Sequence, residues 1–311
     1  MRRYIFLSVL LIPTLIFSGC IQQGGSSGLG MVIKEFSVHP GKVKGGETFE
    51  IRMKARNEGS VNAYNVHAEL YNTDLFISGN TLSISCTPAV TCSQSRVLAG
   101  DPESGVGGGS LTCVWECEAP LIPEGTSVTF NPMVRLYYAY ETHVIKSLTV
   151  VSQDELISIQ DTGGALPLET ISTTGGPIAM DIRTRAPIRF QRHEESVTFP
   201  VEVNIRNVGG GTACAASLEG GPDECEDTHN WNKVGLFFPE ENLGITWISC
   251  SGIDDNQIVE LWEGREKSVM CKAIMPLNWG PSGIVQRSLE FMAAYSYFID
   301  AGASVVVEGI Y

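Results

Sequence analysis

The sequence predicts an all-β chain made of two copies of one β-sandwich module. Three observations predict it. An alternating segment recurs 150 residues further on, the cysteines divide four and four, and 33 glycines and 15 prolines punctuate a chain with few helical periodicities. With 311 residues there is length for two cores of ordinary size. Apolar residues make up 43% and charged residues 18%, a globular balance.

The chain opens with Arg2 and Arg3, an apolar run from Tyr4 to Phe17, and small residues Ser18 and Gly19 before Cys20. A basic start, a short apolar run and small residues at a cut site form an export signal. The strictly apolar run is shorter than the roughly 20 residues of a spanning helix. Phe17-Ser18-Gly19-Cys20 resembles the lipobox of prokaryotic lipoproteins, which implies lipidation at Cys20, although Phe17 stands where Leu is usual. The alternative is an uncleaved signal anchor reaching from Tyr4 to Ile21. Either way the bulk of the chain is expected on the extracellular face of the cell membrane. Residues 1–19 then read as signal peptide and 20–30, with "QQGGSSGLG", as flexible tether.

Two modules follow, 31–152 and 177–311. "FEIRMKARNEG" (Phe49 to Gly59) aligns with "FPVEVNIRNVG" (Phe199 to Gly209) at offset 150. Apolar Phe49, Ile51, Met53 and Ala55 alternate with Glu50, Arg52, Lys54 and Arg56, the period of a half-buried strand. Both copies finish on Arg-Asn-x-Gly, a turn signal. "MVRLYYAYETHVIKSLTVV" (Met133 to Val151) aligns with "MAAYSYFIDAGASVVVEGI" (Met292 to Ile310) at offset 159, and each reads as strand, polar turn, strand. The offset change places a net insertion in the second copy, in the segment holding Cys214 and Cys225. Residues 153–176, rich in Gly, Thr and Pro, read as linker.

Apart from Cys20 the eight cysteines fall evenly, and an exported chain uses such sets for disulfides. Cys86 and Cys250 each follow "ISC", and Cys117 and Cys271 each precede an Ala and Pro stretch, so Cys86–Cys117 and Cys250–Cys271 are the shared bridge. Cys92–Cys113 then remains, and the index sums of the first module, 203 and 205, suit antiparallel segments. Cys214–Cys225 staples the insertion, worth roughly 3 kcal/mol by loop-closure entropy.

A strand closing on Asn-x-Gly, a further strand and a late hairpin resemble an immunoglobulin-like β-sandwich. "GETFEIRMKARNEGSVNAYNV", "GGPIAMDIRTRAPIRF", "VNIRNVGGGTA" and "LEFMAAYSYFIDAGASVVV" are similar to the tandem Ig-like, CARDB-like modules of archaeal cell-surface lipoproteins. The resemblance implies two tandem Ig-like β-sandwich domains, an exported binding, adhesion or scaffolding role, and no catalytic residues to carry over.

Chemistry is thin elsewhere. No G-x-S-x-G elbow occurs, "GVGGG" lacks the Lys of a phosphate loop, and His39, His67, His143, His193 and His229 are scattered. No enzyme activity and no cofactor are expected. Glu219, Asp223, Glu224, Glu226 and Asp227 could hold a structural calcium ion, against the plainer reading of a solvated acidic loop. Trp231, Trp262 and Trp279 could form a platform for a glycan or protein partner, or could plug the core under loops. A net charge of −14 repels phosphate backbones, which argues against nucleic acid. The partners expected are the membrane, through the anchor, and a surface protein or glycan. An alternative role is a fibre or surface-layer subunit self-associating by β-edge pairing; an extracellular enzyme is the third.

Overall fold

The computed structural model describes residues 29–77, 79–87, 92–101, 106–191, 194–215, 222–238, 245–254, 256–277 and 283–310. The first copy holds β1 (Met31–His39), β2 (Lys42–Lys44), β3 (Thr48–Asn57), β4 (Ala63–Tyr71), β5 (Asp74–Ile77) and β6 (Asn80–Ser83). It continues through β7 (Ser85–Thr87), β8 (Ser93–Val97), β9 (Ser110–Glu118), β10 (Ser127–Phe130) and β11 (Met133–Ser152). A helix α1 (Gln153–Thr162) and β12 (Ile171–Thr173) follow. The second copy holds β13 (Ile178–Thr184), β14 (Ile188–Phe190), β15 (Ser196–Asn207), β16 (Thr212–Ala215) and β17 (Lys233–Phe237). It ends with β18 (Thr246–Ser251), β19 (Ile258–Glu260), β20 (Glu266–Pro276), β21 (Ile284–Gly302) and β22 (Val305–Glu308).

The alternating segments become β3 and β15. Phe49, Ile51, Met53 and Ala55 face inward, as do Phe199, Val201, Val203 and Ile205, while their neighbours face water. Each lies second in a four-stranded sheet, β1-β3-β9-β7 or β13-β15-β20-β18, so the two orders match copy for copy. Pro200 sits where β15 has lost its β13 neighbour, because that pairing ends at Thr184–Val201; the missing N–H costs no ladder bond. Opposite both sheets lies one larger sheet of order β19-β17-β21-β11-β4-β8, with β12, β14 and β16 attached. The chain is an all-β sandwich in which two tandem copies share this sheet.

The join is an antiparallel ladder. β11 and β21 pair from Met133↔Gly302 to Val151↔Ile284, and β10 and β22 continue the same register from Ser127↔Glu308 to Phe130↔Val305. Partner indices sum to 435 from end to end. The ladder breaks only at residues 131–132 and 303–304. β22, from the second copy, pairs with β10 and β2 of the first, and the far end of β11 pairs with β14 of the second. The copies therefore exchange strands.

This corrects the hairpin readings and the offset of the second match. Met133–Val151 is one unbroken strand, not a hairpin: the polar residues Glu141, Thr142 and His143 stay in register with Ala294, Ala293 and Met292. Met292–Ile310 is no hairpin either: after a break at 303–304, β22 runs on in the register of β21 and pairs with β10. The equivalence offset is 157, since Tyr140 and Tyr297, not Tyr138 and Tyr297, play the same part. Residues 153–176, read as linker, carry α1 and β12, and β12 pairs with β11 through Val144↔Thr173. Ser152 caps α1 by accepting from Glu155 N–H at 3.3 Å, and Gly163 closes it in the left-handed region at φ 68°.

Tyr138, Tyr140, Tyr295 and Tyr297 meet on the inner face where the strands cross, with ring centroids 5.6 Å (Tyr138–Tyr297) to 6.2 Å (Tyr140–Tyr295) apart. Burial pushes the Tyr140 and Tyr297 hydroxyls up to about 12, and those of Tyr138 and Tyr295 well above the ordinary tyrosine value. Tyr140 Oη receives Val61 N–H at 3.1 Å, and Tyr297 Oη receives Gly211 N–H at 2.8 Å. Asn57 and Asn207 stand beside them as twins. Their Oδ1 atoms receive Gly59 N–H at 3.0 Å and Gly209 N–H at 3.2 Å; their Nδ2 groups donate to Val61 and Gly211 carbonyls at 2.9 Å.

The disulfides are Cys86–Cys117, Cys92–Cys113, Cys214–Cys225 and Cys250–Cys271, the pairs read from the sequence. Cys86–Cys117 and Cys250–Cys271 join directly opposed residues of β7–β9 and β18–β20. Cys92–Cys113 ties β9 to the shared sheet just ahead of β8. Cys214–Cys225 pins the insertion, which splits one strand into β16 and β17, both still paired with β21.

Candidate functional site

The outward face of β13-β15-β20 carries a compact polar array. Alternation turns Asp181, Asn204, Arg206, Glu266 and Ser268 away from the core. Register sets Asp181, Asn204 and Ser268 in one row across three strands, with Arg206 opposite Glu266 in the next. Ser268 Oγ donates to Asn204 Oδ1 at 2.5 Å, and Arg183 Nε donates to Asp181 Oδ2 at 3.2 Å. Asn204 Nδ2 is buried and has no protein partner among the described residues. These side chains border an open groove of about 540 Å³, and Trp262 forms its end wall.

A tight turn between β19 and β20 presents that tryptophan. Glu263 and Gly264 both lie in the left-handed region, at φ 49° and 69°, as a two-residue hairpin turn requires. A Cβ on Gly264 would also press on Asn232 Oδ1. Arg265 N–H donates to Trp262 O at 2.9 Å and Trp262 N–H to Glu266 O at 2.8 Å. Asn207 ties the turn to the end of β15: its backbone N–H donates to Arg265 O at 2.6 Å and its Nδ2 to Gly264 O at 3.1 Å. The Trp262 side chain is 73% exposed on this fixed backbone.

The other candidates fare differently. Trp231 is a plug: its Nε1 donates to Cys225 O at 2.8 Å, and its ring lies 5.2 Å from Phe298 in a small cluster with Tyr137 and the Cys214–Cys225 bridge. Trp279, Glu219 and Cys20 lie outside the described residues, and nothing is described of the Asp223 side chain. Asp227 caps the short turn Thr228–Asn230, accepting from His229 N–H at 2.9 Å, and these bonds hold its carboxyl below the usual carboxylate value. Among the described residues no three His, Cys, Asp or Glu side chains gather as metal ligands.

Sequence reasoning missed two features. The groove was hidden because its residues come from three strands spread over 88 positions, from Asp181 to Ser268. The second is a pair across the seam on the outer face: Arg135 Nε and Nη2 donate to Asp300 Oδ1 and Oδ2 at 2.7 and 2.9 Å, with the guanidinium 4.1 Å above the Phe298 ring. The hydrogen bonds to Asp300 raise the Arg135 pKa further above its ordinary value.

No protein-family model matches the chain, and no curated protein matches it. Among solved structures it is similar to the secreted serine protease VesC from Vibrio cholerae, at 6% identity and a TM-score of 0.23, over 88% of this chain and 51% of that one. The chain thus spans about half the length of VesC. It is also similar to the collagen adhesin CNA from S. aureus (7% identity, TM-score 0.14, 90% of this chain and 93% of that one). A third is the CupB6 tip adhesin from Pseudomonas aeruginosa (9% identity, TM-score 0.16, 91% and 96%). At such scores these neighbours carry no argument about activity; the fold rests on the chain's own strands. Four disulfides fit an extracellular or surface protein.

Proposed function

We propose that this chain is a cell-surface lipoprotein of the archaeal, tandem CARDB-like kind, joined to the membrane through Cys20, and that it binds or scaffolds without catalysis. One observation supports the binding part of this reading. Four disulfides brace a single strand-exchanged framework that holds an exposed tryptophan, Trp262, over a polar groove. A rigid frame with an outward aromatic suits recognition, because little ordering entropy is lost on contact. The second copy is then the recognising half and the first the one beside the membrane.

The test is made on whole cells. A membrane-impermeant amine label should mark the chain, and it should sediment with membranes. Cys20→Ala should abolish lipid labelling and keep the precursor uncleaved. Recovery in the cytosol with free thiols would overturn the proposal, while external labelling without lipid would replace the lipid with a signal anchor.

A further inference from the structure

We propose that the groove beside Trp262 binds a neutral polysaccharide, seating one hexose ring against the indole and the next over the Asp181–Asn204–Ser268 row. The inference rests on the recognition role proposed above and names its ligand class.

The tryptophan comes first. A ring 73% exposed contributes little to the core, yet its backbone is fixed on both sides by the bonds of the turn. A flat, exposed and pre-positioned indole offers a stacking surface whose negative π face attracts the C–H bonds of a sugar ring. The neighbouring row supplies a carboxylate, an amide and a hydroxyl, which are the acceptors and donors that vicinal hydroxyls need. Within it, Asn204 Nδ2 is a buried donor lacking a protein acceptor among the described residues, and a small rotation of the amide would bring it to a ligand hydroxyl.

Charge selects the class. Asp181 is paired with Arg183, Arg206 stands opposite Glu266, and Lys267 adds one further cation, so the groove wall holds both signs with a single positive charge in excess. A polyanion would meet a chain of net charge −14, and a polycation would meet these arginines. A neutral polyol suits both facts.

The first copy provides an internal contrast. Asn57 N–H donates to Gly109 O as Asn207 N–H donates to Arg265 O, so the two places correspond. In the first copy Arg56 Nε donates to Gly108 O at 3.2 Å, and a Cβ on Gly107 would collide with Arg56 Nη2. There the chain's own backbone lies over the arginine. In the second copy the short turn leaves Arg206 beside an open groove. Among the described residues, the open groove beside the arginine belongs to the second copy.

The full chain in detergent is titrated calorimetrically with cellohexaose, mannohexaose and chitohexaose, and with polygalacturonate as a charged probe. Saturable binding of at least one neutral hexamer is expected, weakened about tenfold or more by Trp262→Ala and less by Asn204→Ala, with unchanged melting temperatures. Val106→Ala, at the corresponding turn of the first copy, should leave binding unchanged. Absence of saturable binding to all three hexamers would overturn the assignment, as would binding that Trp262→Ala leaves intact or binding of polygalacturonate alone. Surface labelling is read independently, so failure of the ligand class and failure of the surface role are separate outcomes.

Discussion

At Asn57 and at Asn207 the chain makes the same corner and then builds different surfaces on it. In both, an asparagine bonds to the chain two and four residues on, while a tyrosine of the shared sheet receives the backbone N–H of the fourth. Beyond the corner the first copy lays Gly107–Gly109 over Arg56, and the second makes a two-residue turn that lifts Trp262 clear. The hydrogen-bonding duty is buried and leaves little latitude, because an orphaned polar group there costs about 1–3 kcal/mol. The turn beyond it faces water and can differ freely. The two copies share the inner half of this arrangement and differ in the outer half.

The largest effect should come from removing β22 by a stop after Gly302. Val305 and Val307 are fully buried, so about 3–6 kcal/mol of stability should be lost. The loss should appear in the first copy, whose β2 and β10 lose their partner; denaturant unfolding with Trp115 emission reads this. An intact first copy beside a damaged second would break the strand-exchange account.

Next in size are the corners. Asn57→Ala, at a fully buried site, should cost about 2–4 kcal/mol, and Asn207→Ala, at a half-buried one, about 1–3 kcal/mol, measured by thermal unfolding. Equal and negligible costs would show that the corners are decoration.

The tyrosines give a pH signature of similar or smaller size. Their folded values are raised by burial, so stability is fully present below the unfolded value near 10 and is lost as pH rises towards 12. The loss should be on the order of 2 kcal/mol for each of Tyr140 and Tyr297 by pH 12. Tyr140→Phe with Tyr297→Phe should flatten that slope while lowering stability at neutral pH. The smallest effect separates the two tryptophans: Trp231→Ala should cost about 2–3 kcal/mol and Trp262→Ala less than about 0.5 kcal/mol. A reversal would exchange their roles.

Much of the frame was legible in the sequence because its signals are short-range. A period of two in Phe49–Ala55 needs only neighbouring residues, and the disulfide pairs followed from register within one module. The seam was not legible. "YETH" at Tyr140–His143 looks like a turn until Ala293 and Ala294, some 150 residues away, supply its ladder bonds. The same distance misled the alignment, since Tyr138 and Tyr297 are cross-strand partners rather than equivalents. Trp231 and Trp262 look alike in sequence, and only tertiary packing decides that one is half-buried against Cys225 and Phe298 and the other left bare.

The pairing of β11 with β21 also fixes how the molecule would bear tension. The chain enters the second copy along one strand of the ladder and returns along the other, like a bight of rope drawn through a splice. A pull on the outer half would load the ladder lengthwise, so its rungs would share the strain rather than open one at a time as in a zipper. A load on the second copy would pass to the first through a sheared joint instead of a slack hinge.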